Sequence, residues 1–472
     1  MAHKRRNATA DDSAPAPATA STNGRCVARG AGAQGPIVAD HGRYHELLAM
    51  AKIYNDWTQG QLADALGRDE HNLWPKGGVL RMDIVVRLAR ALDWPLFAVL
   101  EDLTFHEPES DEAAPERTRE DIATHNEQSF QAYLEGRYAD ALRHARAMRR
   151  RAEGPIDRAK ALLRESLAWE ALGRYNAASE SLQQALLEPI ADRRVTMRLR
   201  CNLAWCHHAL GLAYEGEGVA AGIIEELAHD PSDDAEAPGW IAYAHFVRGL
   251  CLRLRAETLA DPSLDMRPGA ADEATCVARA RRGSARRRAL PLARRAIEDL
   301  DAARRGLRAV ALLNELPYYD GLARIADGAI LALETLLGEV APEACIERVL
   351  DELESWVELP SGGGIDAEAI GWWCIFACHV VLREIDDVPT RERQLAILSN
   401  KATEVAEATA NWSLRERVFT VEFLRRAGGA ERAELDVDDV RVLSGVMGRF
   451  PSFRRLGWVL VRRAFTFGRA SR

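Results

Sequence analysis

Apolar residues recur at helical spacing along most of this 472-residue chain. From residue 41 onward they return every three or four positions, as one face of a helix requires. No stretch alternates β-branched and polar residues in the manner of a strand. The sequence therefore predicts an all-α fold, and its hydrophobic content of 47% is enough for the cores of about three ordinary domains.

Composition divides the chain into four parts. Residues 1–38 are poor in large apolar groups, which is typical of a disordered N-terminal arm. Residues 39–103 show helical periodicity and predict a small domain. Residues 104–121 are acidic and contain proline, as linkers do. Residues 122–472 are expected to form one long helical region.

The net charge of the chain and its lack of recognisable targeting segments restrict what kind of protein the sequence predicts. The net charge is -9 and the pI is near 5.8, so any contact with nucleic acid must come from a local patch. No apolar run follows the basic residues Lys4, Arg5 and Arg6, which excludes a signal peptide. The most apolar segment, residues 368–382, is shorter than the roughly 20 residues that a membrane span needs. We expect a cytoplasmic protein without a membrane partner.

Cysteine usage also favours a cytoplasmic protein. Eight cysteines without regular pairing fit a reducing compartment. Two groups have metal-ligand chemistry, the segments 201–208 and 374–379. Cys374 and Cys378 lie four positions apart on a predicted helix and could face one metal, but the four ligands of a closed zinc site are not visible in the sequence. Free cysteine behaves as a small hydrophobe, so both groups are interpreted as core, with no metal and no cofactor.

One phrase recurs in the long helical region. Gly136-Arg137-Tyr138 is matched by Gly173-Arg174-Tyr175, 37 residues later, which is close to the repeat length of paired-helix solenoids. Glycine allows the turn between two helices, the tyrosine is expected to pack where they cross, and the small Ala178 lets them approach closely.

This region resembles tetratricopeptide repeats. The positions that match the family are Leu162, Ser166, Trp169, Gly173, Tyr175, Ala178, Leu182 and Ala185, and a weaker third repeat keeps Ala204 and Gly211. The resemblance implies an α-solenoid whose concave face holds a peptide or protein ligand. Later segments lack the signature and are expected to add irregular helix pairs. An unrelated helical bundle is the alternative.

The segment 58–78 carries the second motif. Thr58 is a suitable N-cap for a helix with Leu62, Ala63 and Leu66 on its inward face. Gly67 then supplies the left-handed turn that ends this helix. A second, short helix is expected over residues 69–74, anchored by Leu73. Apolar faces before and after this pair, at residues 47–51 and 84–92, predict two further helices.

The segment resembles the Cro-type helix-turn-helix, the xenobiotic-response-element family of transcriptional regulators. In that family the residue matched by Gln59 holds a DNA phosphate, and the start of the second helix, here residues 69–72, enters the major groove. The resemblance implies binding of double-stranded DNA, and a homodimer with two spaced DNA-binding domains. The candidate DNA-binding residues are Thr58, Gln59, Arg68, His71, Asn72, Lys76 and Arg81.

The departures from the family support a second hypothesis. Pro75 and Gly77-Gly78 stand where the second helix should continue, and proline disfavours helical geometry in the preceding residue. Asp69 and Glu70 repel phosphates. Residues 41–102 carry seven Lys or Arg against nine acids. The alternative is a tetratricopeptide-like scaffold for protein–protein interaction that keeps a degenerate helix-turn-helix as a docking module.

Two arginine-rich segments remain. Residues 279–295 form either a phosphate-binding patch or a solvated loop before a charged helix. Residues 441–472 hold eight arginines and no acid, and the acidic segment before them is expected to neutralise them. No phosphate loop, metalloprotease motif or nucleophile elbow is present, so the sequence predicts a regulator and not an enzyme.

Overall fold

The computed structural model describes residues 41–73, 80–94, 96–103, 122–135, 137–230, 234, 236–260, 270–314, 317–354, 365–427, 437–450, 453–454 and 457–458. Every regular element in these ranges is helical, which confirms the all-α prediction for this part of the chain. The expected N-terminal arm and the whole of the expected linker lie outside it.

Eighteen α-helices are described, in three groups. The N-terminal unit consists of α1 His41–Tyr54, α2 Gln59–Leu66, a 3₁₀ turn Glu70–Asn72, α3 Met82–Leu92 and α4 Leu96–Leu103. The helical array consists of α5 Ile122–Leu134, α6 Tyr138–Arg151, α7 Pro155–Ala171, α8 Tyr175–Leu187, α9 Arg193–Ala209, α10 Ala213–His229, α11 Ala237–Ala260, α12 Ala270–Asn314, α13 Pro317–Leu337, α14 Pro342–Glu354, α15 Ile365–Glu384, α16 Val388–Ala408 and α17 Trp412–Ala427. The last described helix is α18 Val437–Arg449.

The core of the N-terminal unit follows the predicted apolar faces. The buried side chains are Leu47, Leu48 and Ala51 of α1, Leu62, Ala63 and Leu66 of α2, Leu73, and Ile84, Val85, Leu88, Ala89 and Leu92 of α3. Three helices with one apolar stripe each can bury those stripes only against one another. The sequence pattern therefore accounts for the part of the core that these three helices share.

The C-terminal residues complete the same core. Leu443, Val446 and Met447 of α18 are fully buried in it, together with Phe450 and Phe453. Both α1 and α3 contact α18. The N-terminal unit is thus closed by residues about 350 positions later in the chain.

Within the helical array, consecutive helices from α5 to α13 pack against each other. The odd-numbered helices from α5 to α17 also contact the next odd-numbered helix, so they form a continuous inner layer. The turns Gly173 and Gly211 have φ of 72° and 75°, the left-handed region that glycine adopts without strain. The predicted glycine turns are present at these two positions, and Gly136, the turn of the first copy, lies outside the described residues.

Tyr175 packs differently from the expectation. It is buried, but its ring lies 5.9 Å from that of Phe450 and belongs to the core of the N-terminal unit. The corresponding Tyr138 of the first copy contacts Tyr133 at 5.6 Å, within the array. The second copy of the repeated phrase therefore joins the array to the N-terminal unit.

The helical array closes on itself beside this contact. A Cβ atom on Gly173, in the α7–α8 turn, would lie 2.6 Å from the Trp412 side chain at the start of α17. The Arg449 guanidinium covers the Trp412 ring at 3.5 Å from its centroid and donates to the Leu172 carbonyl at 3.2 Å. Helices α8 to α16 lie between these points in the chain, so the array returns to its own second helix pair.

The structure describes parts of both arginine-rich segments. Residues 279–295 lie inside the continuous helix α12, so the expected loop is not present there. Arg287, Arg288, Arg294 and Arg295 are exposed, and the side chains before residue 285 lie outside the description. In the second segment, Arg441 pairs with Asp438 at 3.2 Å, as expected from local neutralisation.

Candidate nucleic-acid interface

The first helix of the candidate interface, α2, begins with a capping box. The Thr58 hydroxyl accepts from the Gln61 amide at 3.3 Å, and the Gln61 side chain accepts from the Thr58 amide at 2.8 Å. This pair satisfies two amides that a helix start leaves open. Thr58 and Gln59 are exposed. The first turn of α2 is therefore rigid and accessible, as phosphate binding at a helix N-terminus requires.

Gly67 ends α2 as the sequence predicts. Its φ is 64°, and the amides of Gly67 and Arg68 bond to Asp64 and Ala63 at 3.0 and 2.8 Å. The guanidinium of Arg87, on α3, lies where a Cβ atom of residue 67 would be. The left-handed backbone therefore selects glycine here, while the exposed Arg87 guanidinium, at the end of a flexible side chain, could move aside for a Cβ atom.

The second helix of the motif is shorter than expected. Glu70–Asn72 forms a single 3₁₀ turn, in which the Asp69 carboxylate accepts from the His71 amide at 2.9 Å. Leu73 then turns into the core, where the Tyr44 hydroxyl donates to its carbonyl at 3.0 Å. Burial raises the pKa of Tyr44 to about 12, so this donor stays protonated. Pro75, two residues beyond Leu73, is unfavourable for helix at the preceding position, which agrees with so short an element.

The structure brings some of the candidate residues together. Thr58 and Gln59 lie at the first turn of α2, and the 3₁₀ turn with the exposed His71 packs beside this helix. The Glu70 carboxylate is 3.7 Å from the Cβ position of Gly60. Hence an acid, and not only helix amides, faces a phosphate approaching the start of α2.

The remaining candidates have other surroundings. Arg68 follows the turn, and its buried Nε has no hydrogen-bond partner within the described residues. Arg81 is the N-cap of α3 and pairs with both oxygens of Asp83, at 2.9 and 3.1 Å. The backbone of Asn72 is described but its side chain is not, and Lys76 lies outside the described residues.

Arg87 is a positive group that sequence reasoning did not assign to the interface. It is exposed on α3 and covers Gly67, so Arg68 and Arg87 flank the turn of the motif. In the sequence Arg87 is one arginine of an amphipathic helix. Only the close packing of α3 against the glycine turn identifies its position.

The opposite side of the N-terminal unit is fixed to the rest of the protein. Asp93, with φ 54° at the end of α3, pairs with Arg174 and with Arg449, each at 2.7 Å. The Trp94 indole donates to the Ser444 carbonyl at 2.8 Å. Burial raises the pKa of Asp93, but the two guanidiniums outweigh it and hold this pKa below its usual range.

Other kinds of site find little support among the described residues. Their helices include none long and apolar enough to cross a membrane. No group of three or more His, Cys, Asp or Glu in them is arranged to hold a metal ion. The six cysteines whose side chains the structure describes, including Cys201, Cys206, Cys374 and Cys378, are buried as free thiols.

Comparison with known proteins gives no match to a family model, to a curated protein or to a solved structure.

Proposed function

We propose that this protein is a transcriptional regulator that binds double-stranded DNA. Its N-terminal unit, a divergent Cro-type helix-turn-helix, contacts the DNA with the start of α2 and the 3₁₀ turn. Its helical array, a tetratricopeptide-like solenoid, holds a ligand or docks a protein. The proposal includes a homodimer, since two-fold symmetric regulators of this type contact two half-sites.

One observation carries the proposal. Thr58, Gln59 and His71 are exposed on adjacent elements, next to a turn that Arg68 and Arg87 flank. The contacts that fix the unit to the rest of the protein are made by α1 and α3. The α2 side therefore faces solvent with two guanidiniums beside it.

The helical array offers a route for regulation. Arg174, which pairs with Asp93 of the N-terminal unit, directly follows Gly173, which contacts Trp412 at the closure of the array. A ligand that changes the closure changes the support of the N-terminal unit. DNA affinity and ligand affinity are then coupled reciprocally.

A second function is favoured by different observations. The carboxylate of Glu70 lies at the start of α2, and Arg81 is neutralised by Asp83. Both features oppose phosphate binding. They favour the scaffold hypothesis, in which the N-terminal unit docks another protein and DNA plays no part.

The experiment is selection of bound sequences from random duplex DNA by the full chain, followed by affinity measurements across a salt series. Variant Gln59→Ala/His71→Ala tests base and phosphate contacts at the motif. Variant Arg68→Ala/Arg87→Ala is expected to weaken all sequences alike and to reduce the salt slope by about two phosphates.

Arg143→Ala is the matched control, since this arginine is 68% exposed on α6, away from the N-terminal unit. Enrichment of one sequence that the first variant loses supports the regulator. Absence of DNA binding, or binding that neither variant changes, rejects it in favour of the scaffold.

A further inference from the structure

The helix α12 carries an arginine-rich stretch that the proposed DNA contact at α2 does not use. Over residues 285–298 its exposed arginines are Arg287, Arg288, Arg294 and Arg295. Arg287 and Arg294 are two helical turns apart and lie on the same side of the helix, as do Arg288 and Arg295. Each pair spans about 10.5 Å along the helix axis. We call these four residues the arginine ridge.

The ridge has little compensating negative charge. Arg295 approaches the carboxylate of Glu217 on α10 at 3.6 Å. The other three arginines make no ion pair and no hydrogen bond within the part of the chain that the structure describes. The only acid among residues 285–298 of the sequence is Glu298. Four positive charges thus repel one another on one helix face, and a partner with several negative charges removes that repulsion.

The other arginine-rich helix of the array, α6, shows a different arrangement. Its exposed Arg143 pairs with Asp140 at 3.1 Å. Its exposed Arg149 pairs with the buried carboxylate of Glu165, also at 3.1 Å. These guanidiniums have partners inside the protein, whereas three of the four in the ridge have none among the described residues. The ridge is therefore available to a partner outside the chain.

The position of the ridge follows from the direction of the odd-numbered helices. Arg198, early in α9, pairs at 2.7 Å with Glu236, just before the start of α11. Further along both helices, the ring of Trp205 stacks on that of Phe246 at 6.2 Å. Residue numbers rise together on the two helices, so α9 and α11 run in the same direction.

The same relationship extends to α15. The Arg253 guanidinium of α11 covers the Phe376 ring of α15 at 4.2 Å from its centroid. One helical turn later, the Glu257 carboxylate lies 3.2 Å from the His379 imidazole. Helices α9, α11 and α15 are therefore parallel, and their last turns lie on one edge of the array.

The ridge begins at this edge. Arg286, which directly precedes it, donates to the Leu336 carbonyl at 2.9 Å and to the Glu384 carboxylate at 3.1 Å. Those two acceptors are in the last turns of α13 and α15. At the end of α9, Ala209 and Leu210 belong to the core of the N-terminal unit. The N-terminal unit and the start of the ridge thus share one edge of the array.

We propose that the arginine ridge binds the phosphate backbone of double-stranded DNA, outside the base pairs that the N-terminal unit reads. The inference rests on the proposed function, which brings duplex DNA to the same edge of the array. A guanidinium forms bidentate hydrogen bonds with phosphate, and α12 holds four of them at fixed spacing. Phosphate contacts carry no sequence information, so the ridge adds affinity and leaves the preferred sequence unchanged.

The test is the salt dependence of binding between the full chain and a duplex that lacks the selected sequence. The ridge variant is Arg287→Ala/Arg288→Ala/Arg294→Ala. Each phosphate contact contributes about 0.9 to the slope of log affinity against log salt concentration. We therefore expect the slope to become shallower by about 2 to 3, and the affinity at about 50 mM salt to fall by about tenfold or more.

Two further variants separate charge from structure. Arg287→Lys/Arg288→Lys/Arg294→Lys keeps the positive charges and should retain most of the slope. The matched control is Arg143→Ala/Arg150→Ala/Arg393→Ala, which removes the same charge from exposed positions of α6 and α16. We expect the control to keep the slope of the unmodified chain.

Sequence selection and salt slope report on different surfaces. Gln59→Ala/His71→Ala is expected to lose the selected sequence and to keep the slope on unselected DNA, so failure of the proposed function and failure of the ridge are distinguishable. Three results overturn the inference: equal slopes in the ridge variant and the control, a lysine variant as weak as the alanine variant, or stronger binding of the unmodified chain to phosphatidylglycerol vesicles than to DNA at equal phosphate concentration.

Discussion

The carboxylate of Asp93 lies 2.7 Å from a guanidinium nitrogen of Arg449, across 356 residues of sequence. Arg449 is almost fully buried, covers the Trp412 ring and donates to the Leu172 carbonyl. One side chain therefore links the N-terminal unit, the α7–α8 turn and α17.

Arg449→Ala should loosen this junction. We expect the free energy of unfolding to fall by about 1–3 kcal/mol, mainly through lost packing and hydrogen bonds of a buried arginine. The ion pair itself contributes less, since Asp93 is 51% exposed and solvent screens it. Urea unfolding measures the change, and hydrogen exchange should show faster opening of α1–α4. An effect no larger than that of Arg143→Ala would contradict the role of Arg449.

Gly67→Ala should destabilise the N-terminal unit. The substitution places a side chain at φ 64°, so we expect a loss of about 1–2 kcal/mol. Gly218→Ala is the matched control, because Gly218 lies inside α10 with open space around its Cβ position. There alanine should stabilise by about 0.5–1 kcal/mol. Thermal unfolding of both variants distinguishes the two sites, and equal signs would refute the strain argument.

Glu257→Gln should be the most damaging single change of charge in the array. Glu257 is 1% exposed and pairs with the equally buried Arg253 at 2.5 Å. Burial raises its pKa, but Arg253 and His379 outweigh this and lower the pKa to about 2. Removing the charge leaves Arg253 unpaired, at a cost of about 3–5 kcal/mol. Urea unfolding near neutral pH measures the loss of unfolding free energy, and Glu225→Gln is the control. A loss below about 1 kcal/mol would exclude strong coupling between Glu257 and Arg253.

Stability should fall as the pH rises through neutrality. Burial raises the pKa of Glu170 and of Glu368 to about 7, above the ordinary value of an unfolded glutamate. Their stabilising contribution is therefore complete below the unfolded pKa and is lost as the pH rises through about 7. The double variant Glu170→Gln/Glu368→Gln should flatten the melting temperature between about pH 5 and about pH 8. An unchanged pH profile would show that neither carboxyl is buried.

The elements that could be predicted from the sequence are those with local causes. The Thr58–Gln61 capping box, the Gly67 turn and the apolar face of α3 each depend on residues within one or two helical turns. The all-α class follows from the same periodicity. For the candidate interface, local chemistry placed Thr58, Gln59 and His71 on adjacent elements.

The features that could not be predicted depend on distant residues. Nothing near Asp93 indicates Arg449, because closure of the array decides this contact. Arg87 became part of the interface through packing of α3 on α2. The length of the 3₁₀ turn depends on three effects together: the Asp69 cap, the burial of Leu73 and the effect of Pro75 on Trp74. None of them alone predicts where the turn ends.

The contribution of α18 to the first core has a consequence for synthesis. A ribosome releases the N-terminal unit long before Leu443, Val446 and Met447 exist, and domains normally fold in that order as they emerge. Here the apolar side of α1 and α3 stays uncovered while about 350 further residues are translated. The newborn chain is therefore most exposed to aggregation and to chaperones in the interval between the synthesis of α1 and that of α18.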